Sequence, residues 1–300
     1  MKRVAVIGAG KWGQALAHAL AQRCEVVVTS QRARNWRNFV SMEDALQREY
    51  IVVAISAQAV RPWLEEHPSF EPRHKLLVAS KGIDAQTGAF MNEIFESHLK
   101  RSQLAYLSGP SFAKEVMASL PTALVVNSYD AALADTWSGM FPDFIKTYTS
   151  DDVIGAEVGG AYKNVIAIAA GITEGLRLGQ NAKAALVSRG LVEMARFGIH
   201  YGAKEETFLS LSGAGDLFLT ANSTMSRNYR VGLGLAAGKG LKEILAELGE
   251  VAEGVGTARA LHKISQENDL YLPIANEVFE ILEGKPVTKS LEDLLKHRRS

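Results

Sequence analysis

Residues 4–13 read Val4-Ala5-Val6-Ile7-Gly8-Ala9-Gly10-Lys11-Trp12-Gly13, and Trp12, Ala15, Leu16, Ala19 and Leu20 then recur at helical spacing. A β-branched run thus breaks into Gly-x-Gly-x-x-Gly, and strand period gives way to helix period within five residues. The context gives the motif its meaning. Gly8 is suited to a tight turn, Gly10 to the approach of a pyrophosphate to the backbone, and Gly13 to close packing of helix on strand. The helix N-terminus adds unbonded N–H groups and a partial positive charge. The competing reading is a glycine turn with no ligand.

Further strands are expected at 25–29, 50–55, 75–79, 104–107, 123–127 and 145–149, with short helices opening at Ser41 and Asp130. After about residue 150 the β-branched alternation fades, and long Ala/Leu/Gly segments at 157–178, 181–201 and 241–248 predict helices. The expected architecture is α/β: a Rossmann-type, mostly parallel, doubly wound sheet at 1–152, then an all-helical substrate-binding and catalytic domain at 153–300. Asp151-Asp152 marks the seam, since paired acids suit the first turn of a following helix.

The 300 residues carry 33 Lys+Arg against 33 Asp+Glu, so no net charge favours nucleic acid or an anionic membrane surface. The longest apolar run, 165–172, is far shorter than the roughly 20 residues of a membrane span. One cysteine, Cys24, excludes an intrachain disulfide framework and suits a reducing compartment, so a cytoplasmic location is expected. The opening residues imitate an export signal, but Gly8, Gly10 and Lys11 interrupt the apolar region. The seven histidines show no ligand spacing, and no metal is expected. The apolar helices of the second half suit a homodimer.

At the end of the second expected strand, Thr29-Ser30-Gln31-Arg32-Ala33-Arg34 offers no carboxylate for a ribose hydroxyl. Arg32 and Arg34 instead suit a 2′-phosphate, favouring NADP(H) with NAD(H) also usable, against the alternative of two surface arginines. In the second half, Gly159-Gly160-Ala161-Tyr162-Lys163-Asn164 places a lysine in an apolar helix. The glycines lie at i−4 and i−3 from Lys163, which leaves open space beside the ammonium or else serves close helix packing. Ser212-Gly213-Ala214-Gly215-Asp216 carries a carboxylate after a flexible turn, and Ser226-Arg227-Asn228 sets three phosphate-capable donors in a row. A helix cap and a surface charge are the plainer readings of Asp216 and Arg227. Lys81-Gly82 and Gly109-Pro110-Ser111-Phe112 follow expected strands, at the carboxyl ends where open α/β sheets bind ligands.

Taken together with Leu120-Pro121-Thr122-Ala123, Tyr148-Thr149-Ser150, Asn181-Ala182-Lys183-Ala184-Ala185-Leu186 and Val251-Ala252-Glu253-Gly254-Val255, these motifs resemble, in order and over nearly the whole chain, the bacterial NAD(P)-dependent glycerol-3-phosphate dehydrogenases. The resemblance implies reversible reduction of dihydroxyacetone phosphate, a phosphorylated small-molecule substrate, to sn-glycerol 3-phosphate, the precursor of glycerophospholipids. It makes Lys163 the proton donor and acceptor, Lys81 a second contact to the reacting oxygen, and Asp216 the partner that orients Lys163. By the same matching Gly109, Ser111, Ser226, Arg227 and Asn228 contact substrate. Lys81, Trp12, Ala113, Arg227, Val251 and Glu253 stand around the cofactor, with Gly8, Gly10, Lys11 and Gly13. The chain departs from the family pattern at Lys11, at Gln180 and in a shortened stretch at 35–44. Two alternatives stand beside this reading: a β-hydroxyacid-type dehydrogenase, which also carries a helical Lys-Asn pair, and a non-catalytic NADPH sensor.

Overall fold

The computed structural model describes residues 1–32, 36–67 and 70–296. Seven strands, β1 (Arg3–Ile7), β2 (Glu25–Thr29), β3 (Tyr50–Val53), β4 (Lys75–Val78), β5 (Leu104–Ser108), β6 (Thr122–Asn127) and β7 (Ile145–Ser150), form one sheet in the order β2-β1-β3-β4-β5-β6-β7. All neighbours run parallel except β5 and β6, which pair antiparallel. Between the strands lie α1 (Lys11–Leu20), α2 (Met42–Ala45), α3 (Ala57–Glu66), α4 (Met91–Glu96), α5 (Ala113–Met117) and α6 (Ala131–Ser138). Side-chain alternation assigns the faces. Val4, Val6, Val26, Val28, Val52 and Leu77 point to one side, packed with Leu16 and Leu20 of α1 and Trp137 of α6. Ala5 and Val27 point to the other, against Ala45 of α2. Each such buried aliphatic side chain contributes about 1.5–3 kcal/mol, so a one-residue register slip would expose the whole set. Ser41 and Asp130 cap α2 and α6, accepting from the N–H of Asp44 and Leu133.

The second half is helical: α7 (Val153–Gly175), α8 (Gly179–His200), α9 (Glu205–Phe208), α10 (Asp216–Ala221), α11 (Arg227–Ala236), α12 (Leu241–Leu248), α13 (Glu253–Glu267), α14 (Pro273–Leu282) and α15 (Val287–Lys296), with a π-helical turn at Leu211–Gly215. Asp152 caps α7 by accepting from the N–H of Gly155 at 2.9 Å. Helix α7 extends well beyond the apolar run that the sequence displays. It is long and apolar enough to cross a membrane, with mean hydropathy 1.2, yet 89% of that window is buried within the protein. A buried carboxylate also organises this half. Glu193 of α8 accepts from the N–H groups of Ile274 and Ala275 at the start of α14 and from the hydroxyl of Tyr162.

Chain contacts divide the molecule into two compact units, Met1–Lys81 with Met91–Glu157 and Gly82–Phe90 with Val158–Ser300. This differs in two respects from a single cut at 152. The opening turn of α7 belongs to the first unit, because one uninterrupted helix carries the chain onward. The link between β4 and α4 belongs to the second, because Phe90 sets its ring against Phe197 and Tyr201, with centroids at 6.1 and 5.4 Å.

Within the first unit, Glu157 is buried. Loss of hydration pushes its carboxyl up to about 8, although the N–H groups of Met91 and Asn92 and the charge of Lys81 draw it down. A carboxyl raised in the folded state stabilises most below its ordinary value near 4.5, and that contribution drains away as pH rises to about 8. Glu157→Gln should therefore melt at a higher temperature than the parent at pH 8.5, with the gap closing by pH 5. Thermal melts across that range check it, and equal melting at both ends would contradict the burial argument.

Candidate functional site

In the first unit the chain order reverses between β1 and β3, so the turn after β1 lies at the switch point of the sheet, outside its carboxyl edge. The three glycines there meet different demands. Gly8 has φ +117°, and a Cβ on it would lie 2.4 Å from the carbonyl oxygen of Ala54. A Cβ on Gly13 would lie 1.7 Å from the Gly8 oxygen, so only glycine lets α1 start so close to the turn. At Gly10 a Cβ would meet nothing within 4 Å, and the α1 N-terminus has neither a side-chain cap nor an acid in its first turn. This is a cradle of backbone donors open to an anion, and it fits the pyrophosphate of a dinucleotide. Lys11 is exposed beside it, while Trp12 packs half-buried against the sheet core.

Arg32 is exposed just beyond β2, and the hydroxyl of Ser30 donates to its carbonyl at 2.7 Å. Arg34 lies outside the described residues. At the carboxyl ends of β4 and β5, the structure brings three expected residues together: the Gly109 carbonyl accepts from Lys81 Nζ at 3.3 Å and from Ser111 Oγ at 3.2 Å. Gly109 itself has φ +99°. Ala113 follows as the first residue of α5, half-buried.

In the second unit Lys163 and Asp216 form a buried ion pair, Nζ to Oδ1 2.5 Å, with side chains 11% and 2% exposed. Three local features build it. The π-helical turn at Leu211–Gly215 lies against α7 where Gly159 has no side chain; a Cβ there would come 2.4 Å from the Ser212 oxygen. One helical turn later, on the same face, stands Lys163. Gly213 packs as tightly on the other side, where a Cβ would lie 2.4 Å from Phe208 backbone, so the turn is clamped and delivers Asp216 as the first residue of α10. The expectation of open space beside the ammonium is thus overturned for Gly159, whose missing Cβ is the room taken by the carboxylate's own loop. A π-type turn of this kind re-aims a side chain that a regular helix could not.

Sequence reasoning missed Thr220. Its hydroxyl accepts from Lys163 at 3.2 Å and donates to the Asp216 carbonyl at 2.6 Å. The signal was present, since Thr220 stands four residues after Asp216 on one helix face. A cation held by a carboxylate and a hydroxyl, nearly dry yet retaining a donor proton, is suited to proton transfer with a reacting oxygen.

The three donors at 226–228 separate in function. Ser226 caps α11, its Oγ accepting from the N–H of Tyr229 at 3.2 Å. Asn228 is buried, its amide donating to Asn164 Oδ1 at 2.9 Å and accepting from the N–H of Gly254 at 3.0 Å. Only the Arg227 side chain reaches solvent, 43% exposed, with Nη1 3.3 Å from Glu250 Oε2. The backbone N–H groups of Arg227 and Asn228 lie in the first turn of α11, where a helix offers them no intrahelical partner. Val251 is exposed and Glu253 opens α13. Among the described residues, no three His, Cys, Asp or Glu side chains cluster as metal ligands would.

Comparison with known proteins places this geometry. Residues 35–134 match the family model for the N-terminus of NAD-dependent glycerol-3-phosphate dehydrogenase, and residues 152–293 match that for its C-terminus. The chain is 62% identical to a Sulfurimonas denitrificans protein named glycerol-3-phosphate dehydrogenase (NAD(P)+), over 98% of this chain and 99% of that one. A Wolinella succinogenes protein of the same name is 57% identical over 99% of both chains. A crystal structure of glycerol-3-phosphate dehydrogenase from Coxiella burnetii aligns with TM-score 0.91 at 31% identity, covering 99% of each chain. By its two matched halves and its full-length relatives, this chain belongs to the NAD(P)-dependent glycerol-3-phosphate dehydrogenase family.

Proposed function

We propose that the protein catalyses the reversible reduction of dihydroxyacetone phosphate to sn-glycerol 3-phosphate, with NADPH preferred over NADH, as a soluble cytoplasmic enzyme that supplies glycerophospholipid synthesis. The buried Lys163–Asp216–Thr220 constellation carries this reading. The bound nicotinamide supplies or accepts the hydride. Reduction of a ketone builds negative charge on its oxygen, and the Lys163 ammonium neutralises that charge by giving up a proton, which it takes back in the reverse direction. Asp216 holds the ammonium in place. Thr220 fixes the third dimension of the lysine's approach. Lys81, braced on the Gly109 carbonyl, is assigned to holding the substrate oxygen, with Gly109 and Ser111 lining the same turn.

The substrate phosphate falls to Arg227 and the outward N–H groups of Arg227 and Asn228 at the start of α11, a fork and a helix terminus acting together. In this reading the Asn228 side chain is not a ligand and Ser226 acts through its cap. The dinucleotide pyrophosphate falls to the Gly8–Gly13 turn with Lys11, and Trp12, Ala113, Val251 and Glu253 flank the cofactor. Arg32 and Arg34 are assigned to the 2′-phosphate, which supports the NADPH preference.

Steady-state oxidation of NADPH by the purified protein with dihydroxyacetone phosphate tests the reading, run beside unphosphorylated dihydroxyacetone and beside NADH. Lys163→Ala should lower kcat about 10²–10⁴-fold, the usual reach of general acid catalysis, while NADPH binding by fluorescence stays within a few-fold. Retained turnover would remove Lys163 from the chemistry. Arg227→Ala should raise KM for dihydroxyacetone phosphate about 10–100-fold, the worth of one charge-assisted contact of about 1.5–3 kcal/mol. At saturating NADPH it should leave the slow turnover of dihydroxyacetone nearly untouched, and equal losses on both substrates would argue against a phosphate contact. Arg32→Ser should cut the NADPH-over-NADH ratio of kcat/KM by about tenfold or more, measured with both cofactors; an unchanged ratio would leave Arg32 a surface charge.

A further inference from the structure

A second ammonium is buried in the helical unit, and the proton transfer proposed above leaves it without a task. Lys183, near the start of α8, is buried. Its Nζ donates to Glu174 Oε2 of α7 at 3.1 Å and to the Tyr229 hydroxyl of α11 at 3.0 Å. Burial weakens the ammonium's hold on its proton, but the bonds to Tyr229 and Glu174 outweigh it and push the lysine above its ordinary value. One charged group thus joins three helices. Tyr229 is two residues beyond Arg227 and is itself buried. Its N–H donates to Ser226 Oγ at 3.2 Å, and its carbonyl oxygen lies against Gly171 of α7, where a Cβ would come within 2.1 Å. The seam between α7 and α11 gives the bridge its purpose. A Cβ on Gly232 would lie 2.0 Å from the Ile168 carbonyl oxygen, and one on Gly175 2.5 Å from the Ala236 methyl, so the two backbones touch. Small residues admit that approach but raise no ridge to lock into a groove, so the seam alone does not fix how α11 is rolled about its axis. Asn228 fastens its first turn on one side, to Asn164 and Gly254. Tyr229, about 100° further round the helix, fastens it on another, to Lys183.

We propose that Lys183 is a positioning residue for phosphate recognition: through the Tyr229 hydroxyl it sets the roll of α11, and with it the direction in which Arg227 and the first-turn N–H groups meet the substrate phosphate. The inference rests on the assignment of Arg227 to that phosphate. Lys183 itself touches no reacting group. A roll of about 10° moves a group at the outer radius of a helix, about 5–6 Å, by about 1 Å. That is enough to carry a charge-assisted hydrogen bond outside its favourable range.

Tyr229→Phe removes one oxygen and keeps the packing of the ring. It should raise KM for dihydroxyacetone phosphate about 3–10-fold, with kcat within about twofold and the slow turnover of unphosphorylated dihydroxyacetone unchanged. Lys183→Met, of similar length without the charge, should raise KM about tenfold or more, and the double variant should do no worse than Lys183→Met. The deciding measurement places each change on Arg227→Ala. There each should shift KM by less than about twofold, because the anchor they aim is gone, whereas a general loosening of the fold would add its own loss. A parental KM for Tyr229→Phe, equal losses on both substrates, losses in kcat rather than KM, or losses that multiply on Arg227→Ala would each overturn the proposal. Tyr229→Phe carries the test should Lys183→Met not fold. An Arg227→Ala variant with the parent's KM would instead overturn the phosphate assignment beneath it.

Discussion

An ammonium placed in a helical core must bring its counter-charge with it, and the second unit is built around that requirement. Lys163 is nearly dry, and Asp216 lies beside it at 2.5 Å. The carboxylate comes from 53 residues further along the chain. Its delivery explains features that would otherwise look unrelated: a π-helical turn in place of a regular one, glycines at 159 and 213 where two backbones touch, and a threonine at 220 that closes the cage. A pair held this tightly contributes little to stability by itself, because desolvation offsets most of the attraction. What it provides is a fixed position: the ammonium is held between a carboxylate and a hydroxyl, which suits the proton donor proposed above.

The first unit solves a different problem with different means. Its candidate ligand groups are backbone donors at the end of a strand, so what matters is where side chains are missing. Gly8 and Gly13 are tight because the turn must reverse on itself, whereas Gly10 faces open space. The same physics recurs in both units, a helix start with an exposed cation at it, Lys11 at α1 and Arg227 at α11, an arrangement suited to an anion. In neither place is an acid present in the first helical turn.

Much of this was legible in the residue order. Strand period at 4–7, the glycine turn and the helical stripe after it identified the first βα unit, because those signals are local. All seven strands were located from β-branched runs, though β3 and β4 end at Val53 and Val78, short of the expected 55 and 79. The antiparallel step between β5 and β6 left no mark, since pairing direction depends on how a connection folds back in space. The hydroxyacid dehydrogenase, which also carries a helical Lys-Asn pair, stood as an alternative in the sequence, and the family match decides against it.

The sequence by itself determined which residue types stand at which helix and strand positions, and hence the fold class, the cofactor class and the short list of polar residues worth attention. Tertiary structure decided what those residues face. Gly159 could not be recognised as the seat of another loop, because the atom that would clash with it is 53 residues away. Asn228 read as a free donor until its amide was seen bonded to Asn164 and Gly254 on two other helices. Periodicity reports a side chain's direction relative to its own backbone, whereas a partner's identity depends on packing between distant segments, which no local pattern encodes.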